Sequence, residues 1–224
     1  MSKNVKNLTV LAMISAIAFV VMLLSHMVPV FAFIPATPFL KYDPKDVIIV
    51  IGGFMMGPLA ALASTVVVSA LEMITVSATG IIGFIMNVLS TAAFACTASA
   101  IYKRKRTMGG AVIGLAAGTF MMTGVMLLWN YLISPLYMNV GRDVIVGLLL
   151  PAFLPFNLIK AVLNSALTLL IYKPIVRGLR RADLIPPQAN GTESRQQRNT
   201  GVMLIAITLL ITCLLIILVF NGVI

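Results

Sequence analysis

Uninterrupted apolar runs of about 20 residues recur along the whole of this 224-residue chain, and no other feature constrains its fold as tightly. A helix of that length spans about 30 Å, the hydrocarbon thickness of a bilayer, and in lipid it satisfies its own backbone donors and acceptors. The alternation over ~10-residue segments that marks an outer-membrane barrel is absent from the sequence. Composition agrees: 60% of the residues are hydrophobic, 10% are charged and mean hydropathy is +1.07, too little polar surface for a soluble domain. The chain reads as an all-α, polytopic membrane helical bundle.

The predicted spans are Leu8–Val28, Val47–Met56, Leu59–Val76, Ile81–Tyr102, Gly109–Ile133, Leu148–Tyr172 and Gly201–Asn221. The first is too long for the apolar core of a cleavable signal, and no small-x-small site follows it, so it is read as a membrane helix. The second is short and runs into Gly57-Pro58, a turn signal between antiparallel helices. The fifth and sixth are long enough to tilt or to extend past the bilayer.

Lysine and arginine set the orientation. One set of helix ends carries Lys3, Lys6, the run Lys103-Arg104-Lys105-Arg106, and Lys173, Arg177, Arg180 and Arg181. The other carries only Lys41, Lys45 and Arg142, each near an aspartate (Asp43, Asp46, Asp143). The positive-inside rule places the N-terminus and the Lys103–Arg106 loop in the cytoplasm of a multi-pass plasma-membrane protein. The net charge of +10 is accounted for in this way, and no nucleic-acid partner is expected.

Three regions follow: a six-helix substrate-binding domain over 1–181, a polar cytoplasmic linker over 182–200, and an additional C-terminal membrane helix over 201–224. The linker is rich in Pro, Gln, Asn, Ser and Arg, and its Asn190-Gly191-Thr192 sequon is read as accidental on the cytoplasmic side. The last helix has no charge and reads as an appended anchor.

Catalysis finds no support in the sequence. Cys96 and Cys213 sit in apolar runs without metal-ligand spacing, and His26 is the one histidine. No phosphate loop, HExxH motif or nucleophile triad is present, so energy must come from a partner or an ion gradient. No metal site and no cofactor are expected.

Polar residues inside the spans carry the functional information, because an ionisable group in mid-membrane is costly unless paired or solvated. Asn157, Lys160 and Asn164 recur at spacings of three and four and share one helix face. Interhelical hydrogen bonding explains the asparagines but not the lysine. Glu72, Asn87 and Asn130, the last between Trp129 and Tyr131, add further polar points, with Glu72 a candidate partner for Lys160. The loop Pro29–Lys45 is stiffened by Pro35, Pro38 and Pro44 and reads as a shaped lid. Stacking surfaces (Phe39, Tyr42), amides and a lysine around one external cavity suit a flat heteroaromatic ligand with polar edges. On the first helix Ala12 and Ala16, four apart, form a smooth strip for close approach of another helix.

These features resemble the riboflavin-specific substrate-binding (S) components of energy-coupling factor (ECF) vitamin transporters. The resemblance rests on the Phe39-Leu40-Lys41-Tyr42-Asp43-Pro44-Lys45-Asp46 loop and on Gly52-Gly53-Phe54-Met55-Met56-Gly57-Pro58. Gly83-Phe84-Ile85-Met86-Asn87, Ser134-Pro135-Leu136-Tyr137-Met138 and Pro155-Phe156-Asn157-Leu158-Ile159-Lys160 add to it, over roughly residues 8–177. It implies a six-helix subunit that captures riboflavin from outside, with the flavin as cargo and not as cofactor; FMN stays open as a further ligand. It implies assembly with a transmembrane coupling protein and two ATP-binding cassette ATPases, and no ATPase of its own. Ligand contacts would map onto Leu40, Lys41, Tyr42, Asn87, Asn130, Asn157, Lys160 and Asn164, and partner contacts onto Ala12 and Ala16. The linker and seventh helix depart from the family pattern. An S component for another vitamin or a purine-like compound, and a proton-coupled secondary vitamin carrier using Glu72 and Lys160, are the alternatives.

Overall fold

The computed structural model describes residues 3–27, 40–77, 79–181 and 200–220. They form α1 (Lys3–His26), α2 (Lys45–Met56), α3 (Pro58–Thr75), α4 (Gly80–Arg104), α5 (Met108–Met138), α6 (Arg142–Leu148), α7 (Leu154–Arg181) and α8 (Thr200–Phe220), with no strand among the described residues. Helices α1, α3, α4 and α5, the α6–α7 unit and α8 each contain a segment long and apolar enough to cross a membrane. Phe39, Pro35, Pro38 and linker residues 182–199 lie outside the described residues.

Helix α2 is the exception. Its 12 residues make a rod of only about 18 Å at 1.5 Å per residue. It is surrounded by α1, α3, α4 and α7, and Val47, Ile49, Val50 and Ile51 are buried. Its C-terminal end stands beside Lys103 at the basic end of the bundle, because a Cβ on Gly57 would lie 3.9 Å from that side chain. The opposite end of so short a rod stops inside the bundle, and there lie Lys45 and Asp46, both buried. Gly57 makes the reversal into α3 with φ 99°, a conformation that favours glycine, and Pro58 then opens α3 where its missing N–H costs nothing.

Helices α4 and α5 pack closely as an antiparallel pair. A Cβ on Gly114 or Gly118 would fall 2.7 Å from the carbonyl oxygens of Ala98 and Phe94 respectively, so only glycine permits this approach. Helix α5 ends at Asn139, a left-handed cap with φ 54°.

The sixth predicted span starts earlier than Leu148. Helix α6 precedes it and joins α7 through a π-turn over Leu149–Phe153. Pro151 and Pro155 remove two backbone donors four residues apart, and the ladder widens there instead of breaking. The widened turn leads directly into Phe156, Asn157 and Lys160. Helix α8 packs against α7, burying Ala206, Cys213 and Ile217 and leaving most of its other large apolar side chains exposed.

Candidate ligand-binding site

A cavity of about 240 Å³ opens at the end of the bundle opposite the Lys103–Arg106 loop, close to the lower bound of small-molecule clefts at roughly 300 Å³. Its walls come from one end of every helix that surrounds α2. His26 closes α1, Glu72 comes from the last turn of α3 and Val76 from its cap, and Met86, Asn87 and Ser90 come from the first half of α4. Met126 and Tyr137 represent α5, while Phe156, Asn157 and Lys160 represent α7. The segment before α2 adds Leu40, Lys41 and Asp43. Lys41 is exposed, whereas Lys160 is 6% exposed, so one cation stands at the mouth and one at depth.

The floor is an ionic network built around the buried start of α2. The Lys45 ammonium donates to Asp43 and to Glu72, and Asn87 Nδ2 donates to the second Glu72 oxygen at 2.9 Å. Asp46 Oδ2 lies 3.4 Å from Lys160 Nζ and accepts from Asn164 Nδ2 at 3.1 Å. Asp46 Oδ1 accepts from Thr91 Oγ1 at 2.6 Å, and the Tyr42 hydroxyl donates to Asn164 Oδ1 at 2.9 Å. Five buried charged groups thus join the connecting segment, α2, α3 and α7, and each has a partner, which is what a low-dielectric site demands. Burial alone would raise the Asp43 carboxyl, but the charges of Lys45 and then Lys160 hold it below its ordinary value. Burial, reinforced by Asp46 and Asp43, pushes the Tyr42 phenol well above its ordinary value, so it acts as a neutral hydrogen-bond donor.

Leu40, Lys41, Asn87, Asn157 and Lys160 come together as cavity wall. Asn157 gives its amide N–H to the Phe153 carbonyl at 2.8 Å, leaving Oδ1 as the acceptor it can offer. Tyr42 and Asn164 stand behind that wall as the support of Asp46 and Lys160. Asn130 is turned into its own helix, donating to the Met126 carbonyl at 2.7 Å and accepting from Ser134 at 2.8 Å, and it does not line the cavity. The suggested Glu72–Lys160 pair does not form: Glu72 pairs with Lys45, and Lys160 with Asp46. The proton pair of a secondary carrier is therefore missing in the form in which the sequence suggested it.

Asp43, Lys45 and Asp46 escaped sequence reading as interior groups because their charges looked like ordinary loop charges. The available signal was the shortness of the second apolar run, which cannot bring its charged start to the surface. Ala12 and Ala16 are exposed on α1, flanked by the exposed Met13, Ile17 and Val20. Beside them a second, wholly apolar groove of about 280 Å³ runs between α1 and α2 to Ile175 of α7. No group of three metal-ligating side chains occurs among the described residues.

The cavity offers a small ligand both apolar and polar contacts. Leu40, Met86, Met126 and Phe156 offer apolar faces, and Lys41, Asn87, Asn157 and Lys160 offer polar contacts at its edges.

Comparison with known proteins gives a consistent result. Residues 6–172 match the family described as ECF transporter, substrate-specific component. The chain is 32% identical over 183 residues to the riboflavin transporter RibU of Staphylococcus aureus, covering 79% of this chain and 93% of that protein. It is 31% identical over 193 residues to the riboflavin transporter FmnP of Bacillus subtilis, covering 81% and 99%. Among solved structures it is similar to the S component of a bacterial ECF transporter, with TM-score 0.65 and 33% identity over 80% of this chain and all of the other.

Proposed function

This chain belongs to the substrate-specific (S) components of ECF transporters, and we propose on that basis that it captures riboflavin in the cavity lined by Asn87, Asn157 and Lys160. The observation that carries the reading is the cavity itself: a half-apolar cleft closed at its base by paired charges, with amides and ammonium groups at its edges. An isoalloxazine ring has two apolar faces and a rim of carbonyl and imide groups. Carbonyl oxygens of that rim suit the Lys160 ammonium, and an imide N–H suits the Asn157 oxygen. FMN is the second ligand to examine, with Lys41 at the mouth as the group closest to a terminal phosphate.

The opening faces the outside of the cell in this reading. The basis is charge: Lys103, Arg104, Lys105 and Arg106 are exposed at the opposite end, where the positive-inside rule puts the cytoplasm. Transport energy comes from an ECF transmembrane coupling protein and two ATP-binding cassette ATPases. The coupling protein docks on α1, where the small side chains of Ala12 and Ala16 and the groove beside them admit a helix at close range.

Titrating riboflavin fluorescence with the purified full-length protein tests the ligand. Quenching that saturates at one flavin per chain supports the proposal, and quenching that never saturates removes it. Uptake by cells with and without the partner ATPases tests the energy source, and uptake that survives their loss would instead favour an ion-coupled carrier.

A further inference from the structure

The helix that the family match leaves out packs behind the wall of the site. The match ends at residue 172, and α8 begins at Thr200. An anchor with no packing role would leave every face to lipid. Instead Val202, Ala206, Leu210, Cys213 and Ile217 follow one another at spacings of four, four, three and four, the period of one helix face packed on another. Ala206 is fully buried, and Cys213 and Ile217 are nearly so, while Leu204, Leu209 and Leu215 on the rest of the helix are exposed.

The outer half of this seam joins the ligand site. Cys213 and Ile217 share one buried apolar cluster with Leu40 and Tyr42 of the segment before α2, and with Phe153, Phe156, Ile159 and Leu163 around α7. Leu40 and Phe156 line the cavity. Tyr42 passes its hydrogen bond to Asn164, Asn164 to Asp46, and Asp46 pairs with Lys160 in the cavity wall. Segment 40–44 has no helix of its own to hold it and depends on such contacts for its position.

We propose that α8 braces the binding site from behind its wall, with Cys213 and Ile217 acting as positioning residues that clamp segment 40–44 against α7 and thereby set ligand affinity. The clamp lies on the α7 flank, while Ala12 and Ala16 of α1 stay exposed, so partner docking on α1 is compatible with it. The effect on affinity rests on the proposed riboflavin site, but the clamp can be read without ligand.

Hydrogen–deuterium exchange of the amides in 40–46 is measured on ligand-free, full-length protein, and riboflavin affinity on the same samples. Cys213→Phe overfills the seam and Ile217→Ala empties it. Leu215→Phe changes the lipid-facing side of the same helix and serves as the control. The expected result is faster exchange in 40–46 for both seam variants, with affinity weakened about tenfold through faster release, and no change for Leu215→Phe. Ile217→Val, which keeps most of the volume, restores both readouts. Unchanged exchange in Cys213→Phe and Ile217→Ala overturns the clamp. Faster exchange with unchanged affinity overturns its role at the site. If the wild-type chain binds no riboflavin, the riboflavin assignment fails, and the exchange arm still decides the clamp.

Discussion

Replacing Lys160 by methionine removes a buried ammonium while keeping a long, flexible apolar side chain of similar reach. Two effects compete. Breaking a buried ion pair costs about 3–5 kcal/mol when it leaves a charge without partners. Asp46 is not left so, because Thr91 Oγ1 at 2.6 Å and Asn164 Nδ2 at 3.1 Å still donate to it. The Lys160–Asp46 contact is also long, at 3.4 Å. The stability loss therefore falls below the full pair-breaking cost. In the proposed complex, one hydrogen bond from a charged donor is lost, worth about 1.5–3 kcal/mol, or about 10- to 150-fold in affinity. Riboflavin fluorescence titration of Lys160→Met gives the affinity, and thermal unfolding in detergent gives the stability. Lys160→Gln, which keeps a neutral donor, should lie between methionine and wild type. An affinity for Lys160→Met within about twofold of wild type, a difference of about 0.4 kcal/mol, would show that Lys160 does not contact the ligand.

Further outcomes follow from the same geometry. Lys45→Met leaves Asp43 and Glu72 buried without their common cation, and denaturation in detergent should show a loss of about 3–5 kcal/mol, larger than for Lys160→Met. The Asp43 carboxyl is held below its ordinary value, so its contribution to stability is complete above about pH 4 and disappears as the pH falls through the folded-state value. The melting temperature of wild type should drop in that acid window more steeply than that of Asp43→Asn. Ala16→Trp fills the exposed strip on α1 and should leave riboflavin binding intact while abolishing uptake and co-purification with the coupling protein; normal co-purification would remove α1 as the docking face. Gly118→Leu places a side chain against the Phe94 carbonyl and should destabilise the α4–α5 pair by about 1–3 kcal/mol or more, measured by thermal unfolding.

Legibility in the sequence differed by the kind of signal. Apart from α6, helix positions followed from uninterrupted hydrophobicity, and the turn at Gly57-Pro58 and the shared face of Asn157, Lys160 and Asn164 followed from local chemistry. Partner choice did not. Glu72 and Lys160 looked complementary because both are isolated charges in apolar runs, yet Lys45, twenty-seven positions before Glu72, reaches it first. Asn130 shows the same limit in reverse, since a side chain that bonds its own helix at Met126 and Ser134 looks identical in sequence to one that faces a ligand. The packed face of α8 was hidden for a different reason: a helix apolar on every face shows no stripe until its neighbour is known. Only the burial of Ala206, Cys213 and Ile217 brings out the seam.

Riboflavin capture is tested most directly by the absorbance spectrum of the full-length protein purified in detergent with no ligand added. A chain that captures riboflavin should show a flavin spectrum at close to one equivalent per chain, retained on washing. A colourless protein that also fails to quench added riboflavin would contradict it.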